Sequence, residues 1–320
     1  MYILNHENTF RFIGTGLGIP ALAMTNEDIR LTRNPLVDCL WAQERLGIYE
    51  RRIADKGTLT SDLAAQAIRT ALKQSGVRPD SIDLLIVATA TPDRQAPSCA
   101  CITQAKTGLV NAVAFDIAAV CSGFLYGLVT AAAYLRSGTS KRAIVVGADI
   151  FSRITDWTRR DCVFFGDGAG AVILESCSTA RGFFEAELYS DGTKSEAFTV
   201  PQNETTFRMD APGVMEAATY AIPLCVDRLM ARTGFIPDDI DIVVPHQPSI
   251  GLLKKIATLT GVPFSKFTTN MDRYANTAGG TIPIALHEAY ESGSIKPDSL
   301  LMFAAAGAGF TAGAALYRWQ

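Results

Sequence analysis

Three short stretches hold the residues best able to do chemistry. In FDIAAVCSGFLYGLVTAAAYLRSG, Phe115 to Gly138, Cys121 stands where an apolar, strand-like run gives way to a helix. A thiol at the first turn of a helix meets free backbone NH groups and a partial positive charge, which favour thiolate and lower its pKa. The same NH groups can hold a developing oxyanion. A free cysteine is also commonly a small hydrophobe filling a core, and position alone leaves both readings open. The Ser-Gly-Phe that follows favours the nucleophile, because small residues let a substrate approach the helix end.

The chain has three histidines. His6 lies in the N-terminal segment, and His287 falls in IPIALHEAYESG, which reads as a partly exposed helix face. His246 ends the apolar strand DIDIVVPHQPS, where a strand delivers a side chain to the C-terminal edge of a sheet, the usual place for sites in α/β folds. Asn276, in DRYANTAGGTIPIALHEA, precedes small residues and then a helix. Alone it reads as a turn former. Beside a histidine it supplies a second neutral donor, and two such donors converging on one point can stabilise an enolate oxygen without a base. The small residues of AAAGAGFTAG permit a tight turn and backbone approach to a ligand. They lack the GxGxxG spacing of a dinucleotide site.

The elements that must position these groups are legible in outline. A chain of 320 residues, 48% hydrophobic, can bury a large core as one domain or two fused ones. SGVRPDSIDLLIVATATP, Ser75 to Pro92, is echoed half a chain later by TGFIPDDIDIVVPHQPS, Thr233 to Ser249, with Asp80 matching Asp238. GAGAVIL, from Gly168, is echoed by TAGAALY, from Thr311. Each half alternates buried strand-like runs such as AIVVGAD and SLLMFAAAG with helical segments such as SDLAAQAIRTALKQSG and GLLKKIATLTG. The class is α/β, with two similar halves, residues 1–174 carrying the cysteine and residues 175–320 carrying a more polar connector, His246 and Asn276.

The net charge of -3, without a long basic run, argues against nucleic acid as the main partner. The start of the chain lacks a basic region followed by an apolar one, and no run of eighteen apolar residues occurs, so a soluble cytoplasmic protein without a membrane partner is expected. Seven cysteines, an odd number, match neither a disulfide scaffold nor a paired CxxC zinc site. Cys99, Cys101, Cys162, Cys177 and Cys225 have no reactive context and read as structural.

The segments DIAAVCSGFLYGL, DWTRRDCVFFGDGAGAVIL, VVPHQPSIGLLKKIA, DRYANTAGGTIPIAL and AGAGFTAGAAL resemble the beta-ketoacyl-acyl carrier protein synthase III family of the thiolase superfamily, nearly end to end. The resemblance implies a duplicated five-layer αβαβα fold, a homodimer and a decarboxylative Claisen condensation, with no metal and no cofactor besides coenzyme A thioester as substrate. It implies that Cys121 takes an acyl group from acyl-CoA, with the backbone NH groups of Cys121 and Ala308 binding the oxyanion. His246 and Asn276 then act on malonyl-acyl carrier protein. Trp41, Arg45 and Arg160 match the family's CoA-binding positions.

Departures from the family pattern are specific. Gly251 stands where a basic carrier-docking residue is common, leaving Lys254 and Lys255 to take over that role. Ala96 and Ala306 occupy positions that often carry bulky aromatics around the primer pocket, and Pro212 replaces a common polar residue near the pantetheine arm. The expectation is a roomier pocket, with Arg94 beside it making a dicarboxylic primer conceivable. Besides a priming ketosynthase, the motifs leave three alternatives: a specialised enzyme of biotin-precursor or polyketide synthesis, a non-condensing acyltransferase, and a non-catalytic carrier-binding dimer. The Cys-His-Asn set disfavours the last, and Asn276 beside His246 favours condensation over simple transfer.

Overall fold

The computed structural model describes residues 9–177 and 183–320, so His6 lies outside the described residues. The first half forms strands β1 (Thr9–Gly18), β2 (Leu84–Ala88), β3 (Val113–Ile117), β4 (Arg142–Ile150) and β5 (Asp167–Cys177). They make one sheet in the order β1-β5-β4-β2-β3. The second half supplies β6 (Phe184–Ser190), β7 (Ile242–Pro245), β8 (Leu300–Gly307) and β9 (Thr311–Arg318), ordered β7-β8-β9-β6. Both sheets share one pattern. A parallel pair, β2 with β4 or β7 with β8, is followed by two antiparallel pairings. A parallel bridge from Val243 to Phe267 stands where the second sheet would add a counterpart of β3. The first sheet's last strand runs on to Cys177, three residues past the expected division after Leu174.

The helices repeat in the same order: α1 (Thr60–Ser75), α2 (Cys99–Thr107) and α3 (Gly123–Arg136), then α4 (Ala211–Thr233), α5 (Ile250–Thr260) and α6 (Thr281–Glu291). Sequence explains their form. In α1 the buried Leu63, Ala64, Ala67, Ile68, Ala71 and Leu72 recur at three- and four-residue intervals. Asp62 accepts the Leu59 NH at its start, and Gly76, at φ 69°, ends it. In α5 the Ser249 hydroxyl caps the Leu252 NH at 3.3 Å.

Burial sorts these elements into five layers, α/β/α/β/α. On one side α1 and α2 cover the first sheet through Ile68, Leu85, Val87 and Ile144. In the middle α3 and α6 lie between the sheets, joining Phe124, Leu128, Ile282 and Leu286 to Phe10, Val145, Phe303 and Tyr317. On the far side α4 and α5 cover the second sheet through Ile222, Val226, Leu253, Met302 and Leu316. Strand β8 shows the logic: Leu301, Phe303 and Ala305 face the central helices, while Met302, Ala304 and Ala306 face α4 and α5.

At the centre the halves meet too closely for side chains. A Cβ on Gly147 of β4 would lie 1.9 Å from the Gly279 carbonyl oxygen, in the turn before α6. Gly147→Ala is therefore expected to cost about 3 kcal/mol, at the upper end of overpacking penalties, read as a lowered midpoint in denaturant unfolding. Gly57→Ala, with nothing within 4 Å of the added carbon, is the matched control and should leave the midpoint in place.

Candidate active site

Cys121 sits in a short 3-10 turn, Val120–Ser122, and α3 proper begins at Gly123. Val120, immediately before the thiol, is held at φ 46°, costly for a β-branched residue by roughly 1–3 kcal/mol. The fold holds the turn from two sides. The Ser122 hydroxyl bonds the Ala119 carbonyl at 2.8 Å and the Thr311 hydroxyl at 2.7 Å. The end of β8 presses against it, so that a Cβ on Gly307 would lie 2.9 Å from the Cys121 nitrogen. The neighbouring Ala308 carbonyl accepts from Thr311 Oγ1 at 3.2 Å. Among the described residues the Ala308 NH has no acceptor, and the Cys121 NH reaches only its own sulfur. Both donors thus stand beside one glycine contact.

Cys121, His246, Asn276 and Ala308 line a single cavity of about 330 Å³. His246 is delivered by the end of β7, where its NH donates to the Ala304 carbonyl at 2.8 Å. Its Nδ1 lies 2.8 Å from Thr281 Oγ1, at the first residue of α6. Asn276 is fixed by its backbone to β5's approach: its NH donates to the Phe164 carbonyl and its carbonyl accepts from Gly166, both at 3.0 Å. Its Oδ1 accepts the Ala278 NH at 2.8 Å, which leaves the amide nitrogen to donate to the Cys121 sulfur. Ala275 and Ala278, on either side of Asn276, are held at φ 54° and 48°. Thr281, in hydrogen-bond contact with His246, is a site neighbour that motif reading missed. Its signal was present, a hydroxyl opening the helix five residues after the asparagine.

The electrostatics correct one expectation. Burial pushes the Cys121 thiol up to about 12, helped by the charge of Asp149 and opposed by the Asn276 amide and the residue's own NH. The helix end does not produce a resting thiolate, because loss of water outweighs a partial charge that begins two residues later. The exposure that Cys121 retains is to the cavity. Burial likewise lowers His246 to about 3, so the imidazole is neutral at pH 7. His287 is a positioned structural residue, its Nδ1 2.8 Å from Thr15 Oγ1.

Trp41 and Arg45 line the same cavity. Arg160 lies outside the wall, its guanidinium 3.9 Å over the Trp41 ring. Ala306, read from sequence as a pocket residue, is on the wall, and so is Gly251, read from sequence as a carrier-docking position. Arg94 and Ala96 are not: both are exposed on the loop after β2. That loop is drawn toward α1, where Asp93 accepts the Ser61 NH at 3.0 Å and the Ser61 hydroxyl at 2.5 Å. Among the described residues Arg45 is the one lysine or arginine on the wall. Lys254 and Lys255 are exposed on α5, with Lys254 Nζ 5.8 Å from the Phe264 ring. Sequence reading also missed Phe164, Phe165, Phe198 and Met209, which wall the cavity beside Cys121.

The chain is similar to known proteins along nearly its whole length. The sequence matches the family described as 3-Oxoacyl-[acyl-carrier-protein (ACP)] synthase III over residues 115–192, and its C-terminal part over residues 230–319. The beta-ketoacyl-acyl-carrier-protein synthase III of Rhizobium meliloti (strain 1021) is 40% identical over 318 residues, covering 96% of this chain and 98% of the relative. That of Geobacillus kaustophilus (strain HTA426) is 40% identical over 308 residues, with 96% and 98% covered. The chain belongs to the 3-oxoacyl-acyl-carrier-protein synthase III family. It is an acyl-transferring condensing enzyme with the thiolase-type fold. The crystal structure of the Aquifex aeolicus VF5 synthase III superposes with a TM-score of 0.93 at 35% identity, covering 97% of this chain and all of that one.

A buried thiol in this synthase should react only through its small thiolate fraction. Iodoacetamide labelling of Cys121, followed by peptide mass spectrometry, is expected to accelerate about tenfold per pH unit between pH 7 and 9. A plateau below pH 8 would instead mean that the turn's NH groups dominate.

Proposed function

We propose that the protein loads an acyl group from acyl-CoA onto Cys121 and condenses it with malonyl-acyl carrier protein, giving 3-oxoacyl-acyl carrier protein and carbon dioxide. This would prime fatty acid or related synthesis. The observation that carries the reading is the pairing of a neutral, buried His246 with an Asn276 amide directed at the Cys121 sulfur in one cavity. In loading, the sulfur attacks the thioester carbon, the NH groups of Cys121 and Ala308 hold the oxyanion, and CoA leaves with the thiol proton. In condensation, His246 and Asn276 donate to the malonyl thioester oxygen as carbon dioxide departs. The enolate carbon then attacks the acyl-cysteine and the Cys121 thiolate is released.

Donation by His246 requires the proton on Nε2. The Thr281 hydroxyl stands 2.9 Å from the Ala278 carbonyl, which also takes the Thr281 backbone NH, and 2.8 Å from His246 Nδ1, so its one proton can go to either acceptor. We assign the Thr281 hydroxyl proton to His246 Nδ1, which fixes that tautomer. No metal or redox cofactor enters the scheme. Trp41, Arg45 and Arg160 would receive the CoA nucleotide, and Lys254 and Lys255 the carrier protein.

A homodimer through β3 is part of the proposal. Among the described residues this strand is at the sheet edge, pairing with β2 alone, and carries exposed Val113 with half-buried Phe115 and Ile117. Asp116 accepts the Cys99 and Ala100 NH groups at 2.7 Å, setting the Arg94–Ala96 loop beside that edge. Among the described residues no helix is long and apolar enough to cross a membrane. A cytoplasmic location is proposed with it.

Incubation with malonyl-acyl carrier protein and a panel of acyl-CoA primers tests the scheme. Condensed product with carbon dioxide release is expected. Acyl transfer without decarboxylation would point to a non-condensing acyltransferase, and no acyl label on Cys121 to a binding protein. His246→Ala and Asn276→Ala should each leave acylation measurable while cutting malonyl decarboxylation by about two to three orders of magnitude, the scale of one lost oxyanion donor. Equal loss of both steps would assign these residues to thiol activation. Thr281→Val should slow condensation about tenfold, the scale of one hydrogen bond, with Thr281→Ser retaining the rate; equal rates in both would remove the tautomer assignment.

A further inference from the structure

The two oxyanion donors belong to different halves of the chain. The Cys121 NH sits in the turn before α3, and the Ala308 NH follows the end of β8. Packing sets how closely these segments approach: a Cβ on Gly307 would lie 2.7 Å from the Ala119 carbonyl oxygen, 2.8 Å from the Ser122 nitrogen and 2.9 Å from the Cys121 nitrogen. Steric contact of this kind gives a lower limit to the separation and no upper one. An attractive contact must supply the upper limit, and two hydroxyls do so. Among the described residues, the hydrogen bonds joining residues 307–311 to residues 119–122 all run through Thr311 Oγ1, which lies 2.7 Å from Ser122 Oγ and 3.4 Å from the Ala119 carbonyl oxygen.

We propose that the Ser122–Thr311 hydroxyl pair is a positioning element for acyl loading, holding the Cys121 and Ala308 NH groups at the separation one oxyanion needs. The inference rests on the proposed loading of Cys121. Thr311 is a firm anchor: it opens β9, paired with Gly307 of β8 on one side and Ser190 of β6 on the other. Ser122 is fully buried, next in the chain to the thiol. Neither side chain lines the cavity, so both act through the backbone. Their two protons can be arranged in two ways. Either Ser122 donates to the Ala119 carbonyl at 2.8 Å and Thr311 donates to Ser122, or Ser122 donates to Thr311 and Thr311 donates to the Ala308 carbonyl at 3.2 Å. The bond between the hydroxyls is common to both. Removing one hydroxyl leaves the other its carbonyl acceptor, so neither single variant strands a buried donor. In the proposed scheme His246 and Asn276 serve malonyl decarboxylation, and the hydroxyl pair bears on that step only through the fold.

The test measures loading of Cys121 from acetyl-, butanoyl- and octanoyl-CoA by intact-protein mass spectrometry, and decarboxylation of malonyl-acyl carrier protein by carbon dioxide release. It uses the wild type, Thr311→Val, Ser122→Ala, the double variant and Thr311→Ser. Each of the first two variants should lower kcat for loading about tenfold, the scale of one hydrogen bond. KM for acyl-CoA should stay in place, because the oxyanion forms only on the way through the transition state. The ratio of loading to decarboxylation should fall by the same factor. The double variant should lose no more than the slower single one, since the two hydroxyls act as a unit, and Thr311→Ser should keep the wild-type ratio. Unchanged loading in both single variants, losses that multiply in the double, or an equal fall in loading and decarboxylation would overturn the positioning role while leaving the loading reaction in place. No loading by the wild type from any of the three primers would overturn the proposed function itself.

Discussion

The carboxylate of Asp149 is the interaction on which the site depends. Fully buried at the end of β4, its Oδ1 accepts from the Ala90 and Thr91 NH groups and from the Thr89 and Thr91 hydroxyls at 2.8–3.2 Å. Its Oδ2 accepts the Gly279 NH at 2.9 Å. One side chain of the first half therefore fixes both the exit from β2 and the turn that follows Asn276. Burial raises this carboxyl to about 6, and the hydrogen bonds keep it from rising further. Such a group is tolerable inside a protein only when its lone pairs are satisfied. That requirement sets the spacing of the two halves at their centre.

The strain around the site follows from the same constraint. Three residues with left-handed backbones, Val120, Ala275 and Ala278, flank Cys121 and Asn276. None is glycine, so each conformation costs free energy that the surrounding packing must supply. The gain is placement. The Gly307 contact with the Cys121 nitrogen and the Gly147 contact with the Gly279 carbonyl leave both turns no freedom to relax. A site built from two halves is thus rigid where its groups converge, which a condensation between two thioesters needs.

Burial also decides what kind of chemistry the resting site offers. With the thiol pushed up and the imidazole pushed down, the cavity carries no charge at Cys121 or His246 near pH 7. Charge appears only as an oxyanion or enolate forms, and the donors are already positioned for it. Neutral surroundings also suit the apolar side chains of Ala218, Ile222, Leu253 and Ile256 that line the same cavity.

The sequence by itself determined the duplication and the α/β class, and singled out Cys121, His246 and Asn276 as candidate reacting residues. Those follow from local patterns: the paired Pro-Asp and Ile-Asp echoes around Asp80 and Asp238, strand runs such as AIVVGAD, and motifs that place Cys121, His246 and Asn276 at ends of elements. Only the tertiary structure decided the rest. Cys121 lies in a strained turn ahead of α3, so its protonation follows from burial by distant segments, which no local spacing encodes. Ala96 and Ala306 looked equivalent as small residues, yet one is exposed on a loop anchored by Asp93 and the other lines the cavity. Phe151, Phe165, Phe198 and Phe207 gather into one cluster from across the chain. Which side of a cavity is filled depends on long-range packing of side chains, and packing density is a property of the assembled layers.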